Sequence, residues 1–209
     1  MLPWVVLTLA SVAALLLAEW RGSRAGVWIA KPLASTGFIA ASLAAGALET
    51  RYGRFVAVAL VLSWLGDVLL IPRPKASFLA GLLSFLLGHL AFAAAFLVRG
   101  VSAPVAAVAA MALVPPTLAT LRWLGPHVPD PMRMPVRAYV TVISSMLVCA
   151  AGTVFAAGNP TILVGALAFY VSDLAVARER FITQTFGNKL WGLPLYYGAQ
   201  LLLASTVRG

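Results

Sequence analysis

Eight apolar runs of about 20 residues, divided by short basic or Gly/Pro-rich connections, leave this chain few ways to fold. They cover residues 2–18, 26–48, 55–71, 76–98, 102–121, 136–157, 161–177 and 190–207. A helix of that length crosses about 30 Å of hydrocarbon. With 62% hydrophobic and 10% charged residues, the runs are apolar nearly all round instead of along one stripe. Backbone polar groups in lipid must be satisfied within the chain, and the two-residue alternation of a barrel strand is missing. The reading is an all-α, polytopic membrane helix bundle with eight transmembrane helices, a single domain over residues 1–209.

The connections refine this picture. Arg21–Arg24, Arg51–Arg54, Pro72–Lys75, Arg99–Gly100 and Gly158–Pro160 punctuate the runs. The longest, residues 122–135, is expected to lie along the headgroup region, and Pro115-Pro116 to break or kink the fifth span. Even span number puts both termini on one side. The opposite loops carry Arg21, Arg24, Arg73, Lys75, Arg122, Arg133, Arg137, Arg178, Arg180 and Lys189; the terminal side carries Arg51, Arg54, Arg99 and Arg208. The positive-inside rule then places both termini outside a bacterial inner (cytoplasmic) membrane. Net charge +9 is explained by these loops and anionic headgroups, so no nucleic-acid partner is expected. The first run lacks a basic leader and reads as a retained helix. Cys149 lies in an apolar run, so no disulfide framework exists.

Two carboxylates break the apolar pattern. Asp67 stands in LSWLGDVLL and Asp173 in AFYVSDLAVA, each after a small residue near the end of a run. An ionisable group at membrane depth is costly and reads as functional. In the expected topology spans three and seven run the same way, so both carboxyls lie about 6 Å inside the cytoplasmic helix ends. A protonated Asp facing an ionised one would suit acid–base chemistry. The competing reading pairs each with a cation, Lys31 for example, as a structural bridge.

The remaining polar residues gather on the same leaflet. Lys31 enters span two from that side and would either hold a phosphate as a point charge or snorkel to the surface. Ser63 shares a helix face with Asp67, although membrane serines more often bond back to their own helix. His89 is mid-span, where packing competes with chemistry; His127 falls in a solvent-facing loop. Tyr139, Tyr170, Tyr196 and Gln200 would line a pocket as a set, Tyr196 and Gln200 on one face, Tyr197 beside them. Single tyrosines of this kind are ordinary interfacial anchors. No zinc-ligand spacing and no Gly-x-Ser-x-Gly elbow occurs, and nothing in the spacing asks for magnesium, so no metal or cofactor is expected. The two Asp motifs admit a 4+4 internal repeat about an axis along the membrane normal, with Gly88-His89 matching Gly198–Gln200.

Lys31-Pro32-Leu33, residues 63–70 with Gly66-Asp67, Gly88-His89, Tyr139, residues 165–181 with Ser172-Asp173, and residues 196–200 occur in the order and spacing of a known family. On these motifs the chain resembles the YhhN family of eight-span membrane proteins, which includes the lysoplasmalogenases. The resemblance implies hydrolysis of the vinyl ether of a lysoplasmalogen to a fatty aldehyde and glycerophospho-ethanolamine or -choline, with Asp67 and Asp173 as the catalytic pair. The partner is then a lysophospholipid in the membrane, its phosphodiester met by Lys31 and by Arg133 or Arg180. Nothing in the sequence sets the oligomeric state. The alternative is a proton-coupled small-molecule or lipid transporter using the same carboxylates as a relay.

Overall fold

The computed structural model describes residues 1–72 and 74–207. Two residues counted in the charge bias, Arg73 and Arg208, lie outside the described residues. Among the described residues eight α-helices follow one another: α1 (Leu2–Trp20), α2 (Arg24–Ala44), α3 (Arg51–Leu69), α4 (Lys75–Arg99), α5 (Ala103–Leu124), α6 (Asp130–Ala157), α7 (Pro160–Phe181) and α8 (Phe186–Ser205). Seven of them, α1 to α7, are long and apolar enough to cross a membrane; α8 falls short by composition.

Apolar side chains cover the outside of the bundle as well as filling its core. Large apolar side chains such as Leu2, Ile29, Met111 and Phe155 are more than 65% exposed, while Ser35, Ser42, Asp67, His89 and Gln200 are buried. That distribution suits lipid outside and paired polar groups inside. The protein is an integral membrane protein.

Helix ends follow local chemistry. Ser23, Thr50 and Asn159 cap α2, α3 and α7 by accepting backbone N–H bonds from Gly26, Gly53 and Thr161. Gly158 ends α6 in the left-handed conformation at φ +70°. Two glycines permit close helix approach beside the site. A Cβ on Gly66 would lie 2.6 Å from the Phe85 ring, and one on Gly192 would lie 2.5 Å from Ala175 Cβ.

Two expectations change. The segment 122–135 is not a long headgroup-bound loop: α5 runs to Leu124, a 3-10 turn takes Gly125–His127, and α6 already begins at Asp130. Pro131 in its first turn needs no N–H partner and Asp130 suits the positive helix end, so the prolines start the helix here. Nor does Pro115-Pro116 break α5, which continues from Ala103 to Leu124. Two missing N–H donors cost less than unwinding a turn where no water can replace the lost bonds.

Consecutive helices pair as α1/α2, α3/α4, α5/α6 and α7/α8, with α8 also against α1 and α2, and α4 against α6. Helix α5 is peripheral, with Leu124 its one fully buried side chain.

Candidate active site

Because α3 and α7 run in the same direction, their C-terminal turns bring Asp67 and Asp173 to the same end of the bundle. Both line one cavity of about 720 Å³ at that end. Lys31 from α2, Tyr139 from α6, Tyr170 from α7 and Tyr196 from α8 line it as well.

Asp67 is almost fully enclosed, at 2% exposure. Its Oδ2 accepts hydrogen bonds from Ser35 Oγ at 2.6 Å and Tyr196 Oη at 2.7 Å. Lys31 Nζ lies 3.3 Å from Oδ1. Every neighbour on this carboxyl is a donor or a cation, an arrangement fitted to the ionised form. Ser35 is itself steadied by Tyr197, whose hydroxyl lies 3.2 Å from Ser35 Oγ and donates to the Lys31 carbonyl. Lys31 and Ser35 sit one helical turn apart on α2 and so reach one carboxylate together.

Asp173 is held differently. Its Oδ2 accepts from Tyr139 Oη at 2.6 Å, and His89 Nε2 lies 3.2 Å away. His89 Nε2 also lies 2.9 Å from Tyr139 Oη, whose single proton goes to Asp173. The imidazole proton therefore belongs on Nε2, shared between the two oxygens. Nδ1 is buried with no partner, where a bare lone pair costs less than an unpaired cationic N–H. No side chain among the described residues bonds Asp173 Oδ1, and no hydrogen bond or ion pair joins Asp173 to Asp67. The carboxyls share a cavity but do not share a proton directly, because each has its own donors.

The two settings match in position. Asp67 on α3 is held from α2 and α8; Asp173 on α7 is held from α6 and α4. Each is gripped by the helix before it and by the fourth helix of the other half.

The other sequence candidates divide between the cavity wall and positions off it. Ser63 Oγ donates to the Ala59 carbonyl at 2.9 Å and does not line the cavity. Gln200 is fully buried behind Tyr196, both amide atoms without a hydrogen-bond partner, and it too is off the cavity wall. Tyr170 reaches the wall with its hydroxyl unpartnered. His89 stands behind Asp173 and Tyr139 and is fully buried. Arg180 lines the cavity with its guanidinium over the Phe78 ring, whereas Arg133 pairs with Asp130 and is not on the wall. Among the described residues no group of three His, Cys, Asp or Glu is arranged to hold a metal ion.

Beyond the carboxyls, toward the bundle centre, rings close the space. Phe85, Phe169 and Tyr196 contact one another edge-on, with Phe38, Phe92 and Tyr197 packed alongside. Ser35 was missed in the sequence although its four-residue spacing from Lys31 was visible. The Glu19, Glu179 and Lys189 group at the cavity mouth was missed because charges at helix ends are commonplace.

Residues 26–207 match the YhhN family. The chain is similar to a Mycobacterium bovis protein named Lysoplasmalogenase, 38% identical over 182 residues, covering 80% of this chain and 66% of the relative. A Mycobacterium tuberculosis protein of the same name matches to the same extent. A Bos taurus protein named Lysoplasmalogenase TMEM86A is 32% identical over 158 residues, 70% of this chain and 62% of the relative. The chain thus spans slightly less than two thirds of the length of these relatives. No solved structure matches it.

Proposed function

Since the chain belongs to the YhhN family, we propose that it is a membrane hydrolase that cleaves the vinyl ether of lysoplasmalogens, with Asp173 as general acid and Asp67 as its ionised counterpart. The observation that carries the reading is the unlike surroundings of two carboxyls on one cavity. Asp67 faces a lysine ammonium and two hydroxyl donors, while Asp173, on the same cavity wall, has no side-chain partner on Oδ1 among the described residues. The relatives' names support the substrate class.

The proton balance closes with these two groups alone. Asp173 gives its Oδ1 proton to the β-carbon of the vinyl ether, and the C=C pair forms the new C–H bond. Tyr139 and His89 stabilise the carboxylate left behind. The resulting oxocarbenium ion faces the Asp67 carboxylate, which takes a proton from water as water adds to the α-carbon. In the hemiacetal, Asp173 then removes the hydroxyl proton, Asp67 returns its proton to the glycerol oxygen, and the C–O bond breaks. Aldehyde and glycerophospho-alcohol leave with both carboxyls reset. Paired carboxyls in glycoside cleavage divide the work in the same way.

The apolar walls suit the alkenyl chain, and Lys31 and Arg180 would meet the phosphodiester. The ring-packed floor favours a one-ended pocket over a transporter's through-path. In this reading all eight helices span one domain, α8 sheltered by its neighbours, with both termini outside the inner membrane. The matched grip on the two aspartates supports a 4+4 repeat in which His89 corresponds to Tyr196, one turn from the Gln200 match suggested by sequence.

The test is aldehyde release by purified protein from alkenyl and acyl lysolipids. Release from the alkenyl lipid alone is expected; none from either would end the reading.

A further inference from the structure

Helix α5 is peripheral, yet Thr120 and Leu124 on it line the cavity, so on this side the cavity reaches the outermost helix. Helices α4 and α5 both pack against α6, and among the described residues they make no extended contact with each other. The wall between them is apolar. Phe78, Leu124, Val136 and Val140 belong to a cluster separate from the main core, with Leu82 packed against it. On α4 the step from cavity to lipid is one residue, since Leu82 lines the cavity and Leu83 beside it is 57% exposed.

Charge separates this side from the rest of the wall. Two large apolar wall residues elsewhere are also exposed, Trp28 on α2 and Val176 on α7. Each shares its helix face with ionic groups: Arg24 and Lys31 with Trp28, Glu179 and Arg180 with Val176. The residues three and four positions either way from Leu82 and Thr120 carry no charge. Arg180 approaches this side at the mouth, where its guanidinium lies over the Phe78 ring.

The geometry points to a lateral portal between α4 and α5 that takes the aliphatic chain of the lysolipid bound in the cavity. The inference rests on the lysolipid reading above. Along the bundle axis such a chain is blocked. Gly66 packs against the Phe85 ring, and Phe85 with Phe169 and Tyr196 closes the space beside Asp67. A sixteen-carbon chain spans roughly 19 Å when extended, at bond lengths near 1.5 Å. It must therefore turn sideways before the rings. Leu82 lies three residues nearer the mouth than Phe85, about 4.5 Å along α4, and there the uncharged way to lipid begins. Glu19, Arg24, Lys31 and Lys189 line the cavity from α1, α2 and α8. Headgroup and chain then part toward different walls, with the vinyl ether between them at the aspartates.

The test is photocrosslinking of the detergent-purified protein with an acyl lysophosphatidylethanolamine carrying a diazirine midway along its chain, the adducts located by peptide mass spectrometry. The probe has no vinyl ether, so the adducts report the chain's route whether or not the protein releases aldehyde. Adducts are expected in residues 79–86 of α4 and 117–124 of α5, and excess unlabelled lysolipid should displace them. Thr120→Trp, which fills the portal, should cut them about tenfold, equivalent to about 1.4 kcal/mol. Val108→Trp, on the lipid-exposed part of α5, should leave them unchanged. Displaceable adducts gathered at Trp28, Val176 or the ring floor overturn the portal while leaving lysolipid binding in place. Adducts that excess lysolipid does not displace, or that Thr120→Trp leaves undiminished, overturn it as well. Portal adducts without aldehyde release from an alkenyl lipid support the portal and count against the hydrolase reading alone.

Discussion

Lys31 Nζ stands 3.3 Å from Asp67 Oδ1, on the carboxylate oxygen opposite the one that receives Ser35 and Tyr196. Asp173 has no such cation, only a histidine and a tyrosine on one oxygen. This difference assigns the carboxyls their separate tasks in the proposed cycle, and it makes the two sites respond differently to substitution.

Lys31→Met removes the cation from a fully enclosed carboxylate. The expected loss is about 3 kcal/mol of stability, together with most of the activity. Lys31→Arg should recover part of both. Thermal unfolding in detergent beside an aldehyde assay checks the pair.

Tyr139→Phe leaves the ring packed against His89 but removes the donor to Asp173 Oδ2. The carboxylate formed on proton transfer loses one of its two supports. We expect kcat to fall about tenfold to a hundredfold while KM changes little, the signature of an interaction made chiefly in the transition state. Steady-state kinetics on an alkenyl lysolipid would show it.

Ser35→Ala and Ser63→Ala should separate cleanly. The first deletes a 2.6 Å hydrogen bond to Asp67 and should cost about 1–3 kcal/mol and much of the activity. The second deletes only a bond back to the Ala59 carbonyl and should be nearly silent in both assays.

Sequence made the aspartates conspicuous because a charge in an apolar run has few innocent explanations. It also offered Lys31 as a partner for Asp67. It gave no sign that His89 would meet Asp173, since contacts between helices 84 residues apart carry no local spacing. Ser63 and Ser35 illustrate the same limit. Both lie one turn from a charged residue, yet only the rotation of each helix decides which hydroxyl reaches the Asp67 carboxyl. The prolines at 115 and 116 are read by their soluble-protein habits, and lipid changes the comparison by removing water from the alternatives.

Gly66→Ala tests how far the site depends on close helix packing. The added methyl would meet the Phe85 ring, whose edge packs on Tyr196, a donor to Asp67. A stability loss of about 1–3 kcal/mol is expected, with lowered aldehyde release from the displaced neighbour.

The central claim is most directly tested by aldehyde release from an alkenyl lysolipid in purified Asp67→Asn and Asp173→Asn proteins, each confirmed as folded by its unfolding transition. The account predicts that both variants fall to about a thousandth of wild-type rate or below, since each amide breaks the proton cycle at a different step. Near wild-type release by either variant would contradict it.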